Sequence, residues 1–439
     1  MTISLEELST RLQASDPTLF VGGTAEKSLG WIEHPRRYLG AWLEELAAKL
    51  PNSTGRTVLL GMGGSSSPAR FYAEAKGDTS LRVLDTSSPD SIASTEFSNC
   101  VVIASSKSGS TIETQTLLAH ALANGLSPEN LIVITDPNSS LEELGNSLGA
   151  TVVLGDPNTG GRYSAISPFG LIPALYCGWT PAELLREHTE VEFGQELVAR
   201  ALGEAQMLVS KSGTPTFPLP SNPLNSGSAL WLEQLVAETT GKEDVGLIPT
   251  WDGDSSPLKP SSMMFWQLVA CLSARELGVD PFNQPNVESA KKAVLALLQA
   301  GDIEPSNHGA NSEVKEDFQR ASFRELNVYA SIESDQHVEA LRLATSKAFG
   351  PTAANIGPRY LHSTGQLFKG GPLDIATLQV VVRPSVTPTR IAGRRYSFHD
   401  LFFAQAIGDF EAMKASDRSV WQVVVESLDE VHSFLGLSA

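Results

Sequence analysis

The sequence contains few cysteines, few basic side chains and no long apolar run. Three cysteines occur in 439 residues, at Cys100, Cys177 and Cys271, and none belongs to a CxxC pair. This low, odd number predicts buried free thiols in a reducing cytoplasm rather than a disulfide framework or a thiolate metal site. No stretch approaches the ~20 apolar residues of a transmembrane helix, and the polar N-terminus does not resemble a signal peptide.

Basic side chains are outnumbered, because 32 lysines and arginines stand against 50 aspartates and glutamates. The formal net charge of -18 disfavours nucleic acids and anionic membranes as partners, since an acidic surface repels both. A small anion remains acceptable as a ligand because it responds to the local field of its pocket. The eight histidines form no HxH or HxxxH pair, so we expect no metal site.

Apolar residues make up 41% of the chain, which is enough to build folded cores. A length of 439 residues exceeds one ordinary domain, so we predict two, at 1–205 and 206–439. Continuous apolar runs in the first half are typical of strands buried on both faces of a parallel sheet. Helix candidates lie between them, which predicts a doubly wound α/β sheet over about 57–157. The runs occupy 57–63, 81–87, 100–106, 131–137 and 151–157.

The second half is less regular but contains the same two kinds of segment. We predict that its strands and helices build a second α/β sheet, as a pseudo-repeat of the first. The strand candidates are 214–219, 246–251, 327–332, 378–384 and 421–427. The helix candidates are 226–242, 261–277, 287–300, 335–349 and 397–413.

Two loops of the first half have the composition of anion-binding sites. The segment GMGGSSSP (61–68) follows a strand and precedes a helix, where glycines allow close approach of a ligand to the backbone. The segment SSKSGSTIET (105–114) has the same setting and adds Lys107 among many hydroxyls, more than one helix cap requires. Because neither contains GKS or GKT after a GxxxxG spacing, we expect a monophosphate rather than a nucleotide.

Three further loops combine charged side chains with glycine, proline or asparagine, and each also has a purely structural reading. GGRYSAIS (160–167) places Arg162 beside two glycines, where it is either a solvated surface cation or a ligand for developing negative charge. PFNQPNVESAK (281–291) leads into a helix with Glu288 and Lys291 three residues apart, as in a surface ion pair. The segment 356–372 carries Arg359, His362, Gln366 and Lys369.

Together these motifs resemble the phosphoglucose isomerase family, which is built from two sugar-isomerase (SIS) domains. SSKSGSTIET resembles its phosphate-binding segment, and GGRYS and FNQPNVESAK resemble its two signatures, in the family's order along the chain. WLEQLVAETTGK and GPRYLHSTGQLFKGGP resemble more closely the isomerase half of bifunctional transaldolase/phosphoglucose isomerases. A chain of 439 residues leaves no room for the transaldolase half.

The resemblance implies interconversion of glucose 6-phosphate and fructose 6-phosphate through a cis-enediol(ate), without metal or cofactor. It implies that Gly64 and Ser65 line the sugar and that Arg162 stabilises the enediolate. It also implies that Lys291 acts near the ring oxygen and that His362 opens the ring. The phosphate would be held by Ser106, Lys107, Ser108 and Thr111.

The resemblance does not fix the carboxylate that transfers the proton between C2 and C1. The segment 246–260 contains no Glu, so Asp252, Asp254 and Glu238 all remain candidates, of which we favour Asp254 and Glu238. A chain that binds sugar phosphate with little or no catalysis is therefore an alternative. Acceptance of mannose 6-phosphate is left open, and the family resemblance allows a homodimer.

Overall fold

The fold is taken from a computed structural model, which describes residues 3–53, 55–190, 193–210, 215–251, 257–286, 288–301 and 303–437, without the side chains of Glu288 and Ser289. The chain divides into two compact units. Unit 1 comprises Met1–Asp85, Phe97–Thr240 and Gly246–Asn283. Unit 2 comprises Thr86–Glu96, Gly241–Val245 and Gln284–Ala439.

Unit 1 alternates strands and helices through most of its length. Its strands are β1 (Thr57–Gly61), β2 (Leu81–Leu84), β3 (Val101–Ser105), β4 (Leu131–Thr135), β5 (Thr151–Leu154), β6 (Thr216–Pro218) and β7 (Ile248–Thr250). Its helices are α1 (Leu5–Gln13), α2 (His34–Tyr38), α3 (Ala41–Ala47), α4 (Ser67–Lys76), α6 (Ile112–Ala123), α7 (Ser140–Leu148), α8 (Pro168–Tyr176), α9 (Pro181–Thr189), α10 (Gln195–Val209), α11 (Gly227–Thr240) and α12 (Met263–Leu277). The predicted boundary between residues 205 and 206 falls within α10.

The main sheet of unit 1 is parallel throughout, with the strand order β2-β1-β3-β4-β5. Every residue of β1, β3 and β4 is buried, which explains their continuous apolar sequences. This confirms the predicted doubly wound sheet. The chain order reverses between β1 and β3, and ligands of such sheets bind at the carboxyl ends of the strands beside this switch point.

The two short strands β6 and β7 pair in parallel, with Phe217 opposite Pro249. The sequence predicts a strand at each position but assigns them to the second sheet. In the structure they form a separate two-stranded sheet within unit 1. Propensity locates a strand but does not identify its partner, because pairing depends on contacts distant in sequence.

Unit 2 contains a second α/β arrangement. Its strands are β8 (Phe323–Tyr329), β9 (Thr352–Gly357), β10 (Ile375–Val382) and β11 (Ser419–Val425). Its helices are α5 (Pro89–Ala93), α13 (Glu288–Ala300), α14 (Asn311–Arg320), α15 (Asp335–Phe349), α16 (Gly365–Gly370), α17 (Phe398–Ala415) and α18 (Leu428–Leu435). No helix within the described ranges of either unit is long and apolar enough to cross a membrane.

The sheet of unit 2 is also parallel, with the order β9-β8-β10-β11. In chain order its strands are therefore arranged 2-1-3-4, as are the first four strands of the main sheet in unit 1. The predicted second sheet and its likeness to the first are thus present. Strand β9 was not predicted because its sequence, TAANIG, is rich in alanine and asparagine, which are depleted in strands.

A row of amide side chains crosses all four strands of unit 2. Asn355 lies opposite Asn327, Asn327 opposite Gln379, and Gln379 opposite Gln422. All four side chains are buried. The Asn355 amide donates to Asn327 Oδ1 at 3.4 Å, and the Gln422 amide donates to Gln379 Oε1. Amides thus occupy the same level of every strand in this sheet.

A buried ion pair lies beside this row in unit 2. Lys369 Nζ is 2.5 Å from Asp409 Oδ1, and both side chains are almost completely buried. The Tyr360 hydroxyl and the Gln379 amide donate to Asp409 Oδ2. Burial of the Tyr360 hydroxyl, together with the negative charge of Asp409, raises its pKa well above the usual value. Asp409 therefore receives a cation and two hydrogen bonds, as a carboxylate removed from water requires.

Candidate functional site

Three loops of unit 1 meet at the switch point of the main sheet. A Cβ atom on Gly61 would lie 2.8 Å from the Ser105 carbonyl oxygen, so the last residues of β1 and β3, from which two of these loops start, are in close contact. A Cβ atom on Gly64 would lie 2.1 Å from the Gly161 carbonyl oxygen. The Ser164 hydroxyl also donates to the Gly64 carbonyl at 3.2 Å. Gly64 therefore allows the backbone of the first loop to touch the 160–167 loop, and Gly61 allows the ends of β1 and β3 to pack closely.

Gly64→Ala is expected to destabilise unit 1 and to reduce ligand binding, because the new methyl group overlaps backbone atoms that cannot rotate away. Overpacking of this kind costs about 1–3 kcal/mol. Gly161→Ala is the matched control, since a Cβ there has no heavy atom within 4 Å. Urea unfolding measures the difference. Equal stability of the two variants would contradict the close contact.

The predicted phosphate loop lies between β3 and α6. The Ser106 hydroxyl donates to Thr111 Oγ1 at 2.9 Å, and the Ser108 and Ser110 hydroxyls are 2.9 Å apart. Gly109 has a φ of 67°, which suits glycine, and its N–H donates to the Ser106 carbonyl. The tight turn brings buried and exposed hydroxyls into one short arc, as a phosphate site requires.

Lys107 in this loop is bonded to a carboxylate. Its ammonium group donates to Asp136 Oδ2, and the two side chains are 21% and 17% exposed. Burial raises the pKa of the Asp136 carboxyl, although the hydrogen bond from Lys107 opposes that change. An incoming phosphate would therefore compete with Asp136 for the lysine.

Arg162 is buried and bridges two of the predicted motifs. Its side chain is 1% exposed, and the residue lies in the 3₁₀ helix Gly161–Tyr163. Its Nε lies 3.4 Å from Glu238 Oε2. The guanidinium thus joins the GGRYS loop to the turn that begins the PFNQPN segment. Its two terminal nitrogens donate to the backbone carbonyls of Glu238, Pro281, Phe282 and Asn283.

The turn that Arg162 contacts is shaped by a second buried carboxylate. Asp280 Oδ1 accepts the Phe282 N–H at 2.8 Å, and both Asp280 oxygens accept the Thr24 hydroxyl. This local bond bends the chain after Asp280, so that successive carbonyls reach the same guanidinium. Neither Asp280 nor Thr24 was singled out from the sequence.

Glu238 lies near the end of α11, where every residue from Ser228 to Thr240 is buried. Its Oε2 accepts the Gln234 amide at 3.1 Å, one helical turn earlier, and faces Arg162. The Ser67 hydroxyl donates to Gln234 Oε1 at 2.7 Å. A continuous polar chain from Ser67 to Arg162 therefore orients the carboxylate.

Gln234 was missed in the sequence, although a signal was present. It precedes Glu238 by four residues on a predicted helix, which places both side chains on one face. The spacing alone could therefore have predicted that the Gln234 amide contacts the Glu238 carboxylate.

Not every predicted site residue lies in this part of the molecule. Unit 1 contains Arg162, Glu238 and all the residues predicted to hold the sugar phosphate. Lys291 belongs to unit 2, where it is exposed on α13, and His362 ends the 3₁₀ helix Arg359–His362 of the same unit. Asp252 and Asp254 lie outside the described residues. The predicted binding residues of unit 1 are Gly64, Ser65, Ser106, Lys107, Ser108 and Thr111.

The three cysteines are buried away from solvent. Cys100, Cys177 and Cys271 are free thiols, as predicted. Burial raises the pKa of the Cys177 and Cys271 thiols, which keeps them protonated. In the part of the chain that the structure describes, no group of three or more His, Cys, Asp or Glu side chains is arranged to hold a metal ion.

The chain is similar in sequence to several isomerases, although no family model matches it. It is 28% identical to the glucose-6-phosphate isomerase of Campylobacter jejuni over 216 residues, or 44% of this chain and 52% of that protein. It is 22% identical to the glucose-6-phosphate isomerase of Clostridium novyi over 328 residues, or 66% and 71%. The same-named protein of Rubrobacter xylanophilus is 28% identical over 279 residues, or 56% and 63%.

These matches confirm the predicted resemblance at the level of the family. The chain spans about half the length of the Campylobacter relative. The likeness to the bifunctional transaldolase subgroup stays a prediction. Among solved structures, a hypothetical protein of Thermus thermophilus aligns with 98% of this chain and 88% of its own, at 19% identity and a TM-score of 0.35.

Proposed function

We propose that this relative of glucose-6-phosphate isomerases interconverts glucose 6-phosphate and fructose 6-phosphate. The observation that carries the proposal is the buried Glu238 carboxylate, held between Gln234 and Arg162 next to the loops of the switch point. Isomerisation of a sugar phosphate needs an anion site and a positioned base, and unit 1 offers both. The names of the relatives support the same reaction class.

The phosphate group of the substrate binds the loop between β3 and α6. The hydroxyls of Ser106, Ser108 and Thr111 and the backbone N–H groups of the turn donate to its oxygens, and Lys107 turns from Asp136 to the phosphate. The sugar then extends along Gly64 and Ser65. A glycine at position 64 keeps that side of the site free of side-chain atoms.

The chemical step is a proton transfer between neighbouring carbons of the open-chain sugar. Glu238 removes the proton from C2 of the aldose, and the electron pair forms the C1–C2 double bond as the carbonyl oxygen gains negative charge. The positive charge of Arg162 stabilises this enediolate. The C2 hydroxyl proton passes to O1, and Glu238 returns the proton taken from C2 to C1 as the C2 carbonyl forms, which gives the ketose. The guanidinium also holds Glu238 and the 281–283 turn in place.

The ring must open before this step. Lys291 near the ring oxygen and His362 as the ring-opening acid–base group are assigned from the family resemblance, and both lie in unit 2. Asp254 is the alternative carboxylate for the proton transfer. A homodimer in which a second copy completes the site belongs to the same proposal.

The direct test is turnover of purified protein in EDTA. We expect interconversion of glucose 6-phosphate and fructose 6-phosphate in both directions without added metal or cofactor. Mannose 6-phosphate is assayed beside them, because the residues do not decide the configuration accepted at C2. A folded sample without turnover of any of the three would overturn the proposed reaction.

A second candidate function is sugar-phosphate binding without catalysis. The hydrogen bonds of Arg162 favour this alternative. Its two terminal nitrogens already donate to four backbone carbonyls, so these donors are not directed at an enediolate. Under this alternative, fructose 6-phosphate raises the melting temperature while the assay detects no product. Stabilisation together with turnover would exclude it.

Lys107→Met is expected to weaken binding of fructose 6-phosphate by roughly 10- to 100-fold. Hydrogen bonds to charged groups contribute about 1.5–3 kcal/mol, and each 1.4 kcal/mol changes affinity about tenfold. Asp136→Asn is the matched variant, with the opposite expected sign, because it frees Lys107 from its partner. Calorimetric titration measures both. Unchanged affinity in Lys107→Met would remove the lysine from the phosphate site.

A further inference from the structure

Arg359 in unit 2 is a buried cation that lacks a counter-charge among the described residues. It is 6% exposed and begins the 3₁₀ helix Arg359–His362, just after the carboxyl end of β9. Within the part of the chain that the structure describes, its guanidinium makes neither a hydrogen bond nor an ion pair. A guanidinium has five N–H donors, and burying an uncompensated charge is strongly unfavourable.

Other buried charges of unit 2 have partners, which sets Arg359 apart from them. Arg324 donates to the Phe318 carbonyl, and Arg342 makes two 2.8 Å bonds to Glu339. Lys369 is paired with Asp409. Glu325 accepts the Thr377 hydroxyl, and burial raises its pKa well above the usual value. Because each of these buried groups has a hydrogen-bond or ion-pair partner within the chain, the guanidinium of Arg359 points to a ligand from outside it.

The position of Arg359 in the fold supports a ligand site. Side chains three residues apart on a 3₁₀ helix lie above one another, so Arg359 and the half-buried His362 share one face. The carboxyl edge of a parallel α/β sheet is also where ligands of such folds bind. These features are independent of the phosphate loop in unit 1.

We propose that Arg359 is the cationic centre of a second anion site, at the carboxyl edge of the sheet in unit 2. The ligand is an oxyanion, because a guanidinium matches the two oxygens of a phosphate or carboxylate group through parallel hydrogen bonds. Binding of the anion supplies the counter-charge that Arg359 lacks among the residues that the structure describes. The anion belongs to a small molecule, since the overall net charge of -18 repels polyanions.

The site is tested by hydrogen exchange with mass spectrometry on the full chain, with inorganic phosphate in one arm and acetate in the other. Peptides covering 355–370 report on Arg359, and peptides covering 103–113 report on the phosphate loop. The two sites are therefore read separately in one sample. At ~100 times the dissociation constant, linkage slows exchange through openings that release the ion by roughly 100-fold.

Four proteins are compared: the unmodified chain, Arg359→Met, Arg359→Lys and Arg342→Met. We expect anion protection of 355–370 in the unmodified chain, reduced protection in Arg359→Lys and none in Arg359→Met. Without anion, Arg359→Met is expected to melt at the same or a higher temperature, because it removes an uncompensated charge. Arg342→Met is the matched control, which should melt lower and keep the protection.

Each outcome either supports the site or overturns it. Protection of 355–370 that depends on Arg359 supports the site, and the stronger of the two anions identifies a phosphate or a carboxylate ligand. Protection that persists in Arg359→Met, or its absence from the unmodified chain at saturating concentrations of both anions, overturns the site. The proposed isomerase has a separate readout, which is protection of 103–113 and turnover.

Discussion

Replacing Glu238 with glutamine is expected to lower kcat for isomerisation by about 10²- to 10⁴-fold, the usual contribution of a positioned general base. KM should change little, because the proposal assigns phosphate binding to the loop between β3 and α6 and not to the carboxylate. The substitution keeps the shape of the side chain and its place beside Gln234. Initial rates in both directions, measured by coupled assays, give kcat and KM.

Glu233→Gln is the matched control, since Glu233 lies on the same helix and is equally buried. We expect kcat within a few-fold of the unmodified chain. Full activity of Glu238→Gln would show that this carboxylate is not the base. The proton transfer would then be assigned to Asp254, and Asp254→Asn would be the variant to measure.

Lys369→Met should destabilise unit 2 by about 3–5 kcal/mol, the usual effect of removing one member of a buried ion pair. Asp409 would keep its hydrogen bonds from Tyr360 and Gln379 but lose its counter-charge inside the protein. Urea unfolding gives the loss as a shift of the transition midpoint. A loss below about 1 kcal/mol, the size found for exposed pairs, would contradict the buried geometry.

Two further variants separate the contribution of the buried ion pair from a nonspecific loss of stability. Lys76→Met breaks the pair with Glu183, whose side chains are 29% and 31% exposed, and should cost about 0–1 kcal/mol. The double variant Lys369→Met with Asp409→Asn should recover much of the stability lost in the single variant. It removes both charges of the buried pair, while the amide oxygen of the asparagine can still accept from Tyr360 and Gln379.

The sheet of unit 1 was predictable because local sequence and tertiary environment agree there. Runs such as TVLLG and VVIAS are apolar at nearly every position and lie between helices, a pattern that occurs when both faces of a strand are covered. The glycine and hydroxyl clusters after β1 and β3 likewise identified the loops that meet at the switch point. In both cases the residues that identify the strand or the loop are consecutive in the sequence, so a short segment is enough to predict it.

Other features depend on contacts that no short segment encodes. Strand β9 is fully buried although it lies at the edge of its sheet, and its Asn355 belongs to a polar row that needs partners from other strands. Likewise, residues 86–96 belong to unit 2 although they follow β2 of unit 1. A division at a single chain position, as predicted at 205/206, does not describe such units.

The candidate site was also predictable only in part, because short segments show residue types but not which residues meet in the folded chain. The types of Arg162 and Glu238 were read from motifs, but their proximity was not, because they lie 76 residues apart and meet through folding. The four carbonyls around Arg162 belong to the backbone, which every residue type carries. No sequence pattern reports a backbone acceptor.

The amide row of unit 2 also bears on how this sheet assembles. Moving any one strand by a single residue would turn its amide towards the opposite face and put an apolar side chain among polar neighbours. Such a slip would leave buried amides unpaired, at roughly 1–3 kcal/mol for each group. Apolar strands such as β10 and β11 gain similar burial in several alignments, so hydrophobicity alone discriminates poorly between them. Asn355, Asn327, Gln379 and Gln422 therefore favour the observed register over shifted registers, in which their amides would lose these neighbours.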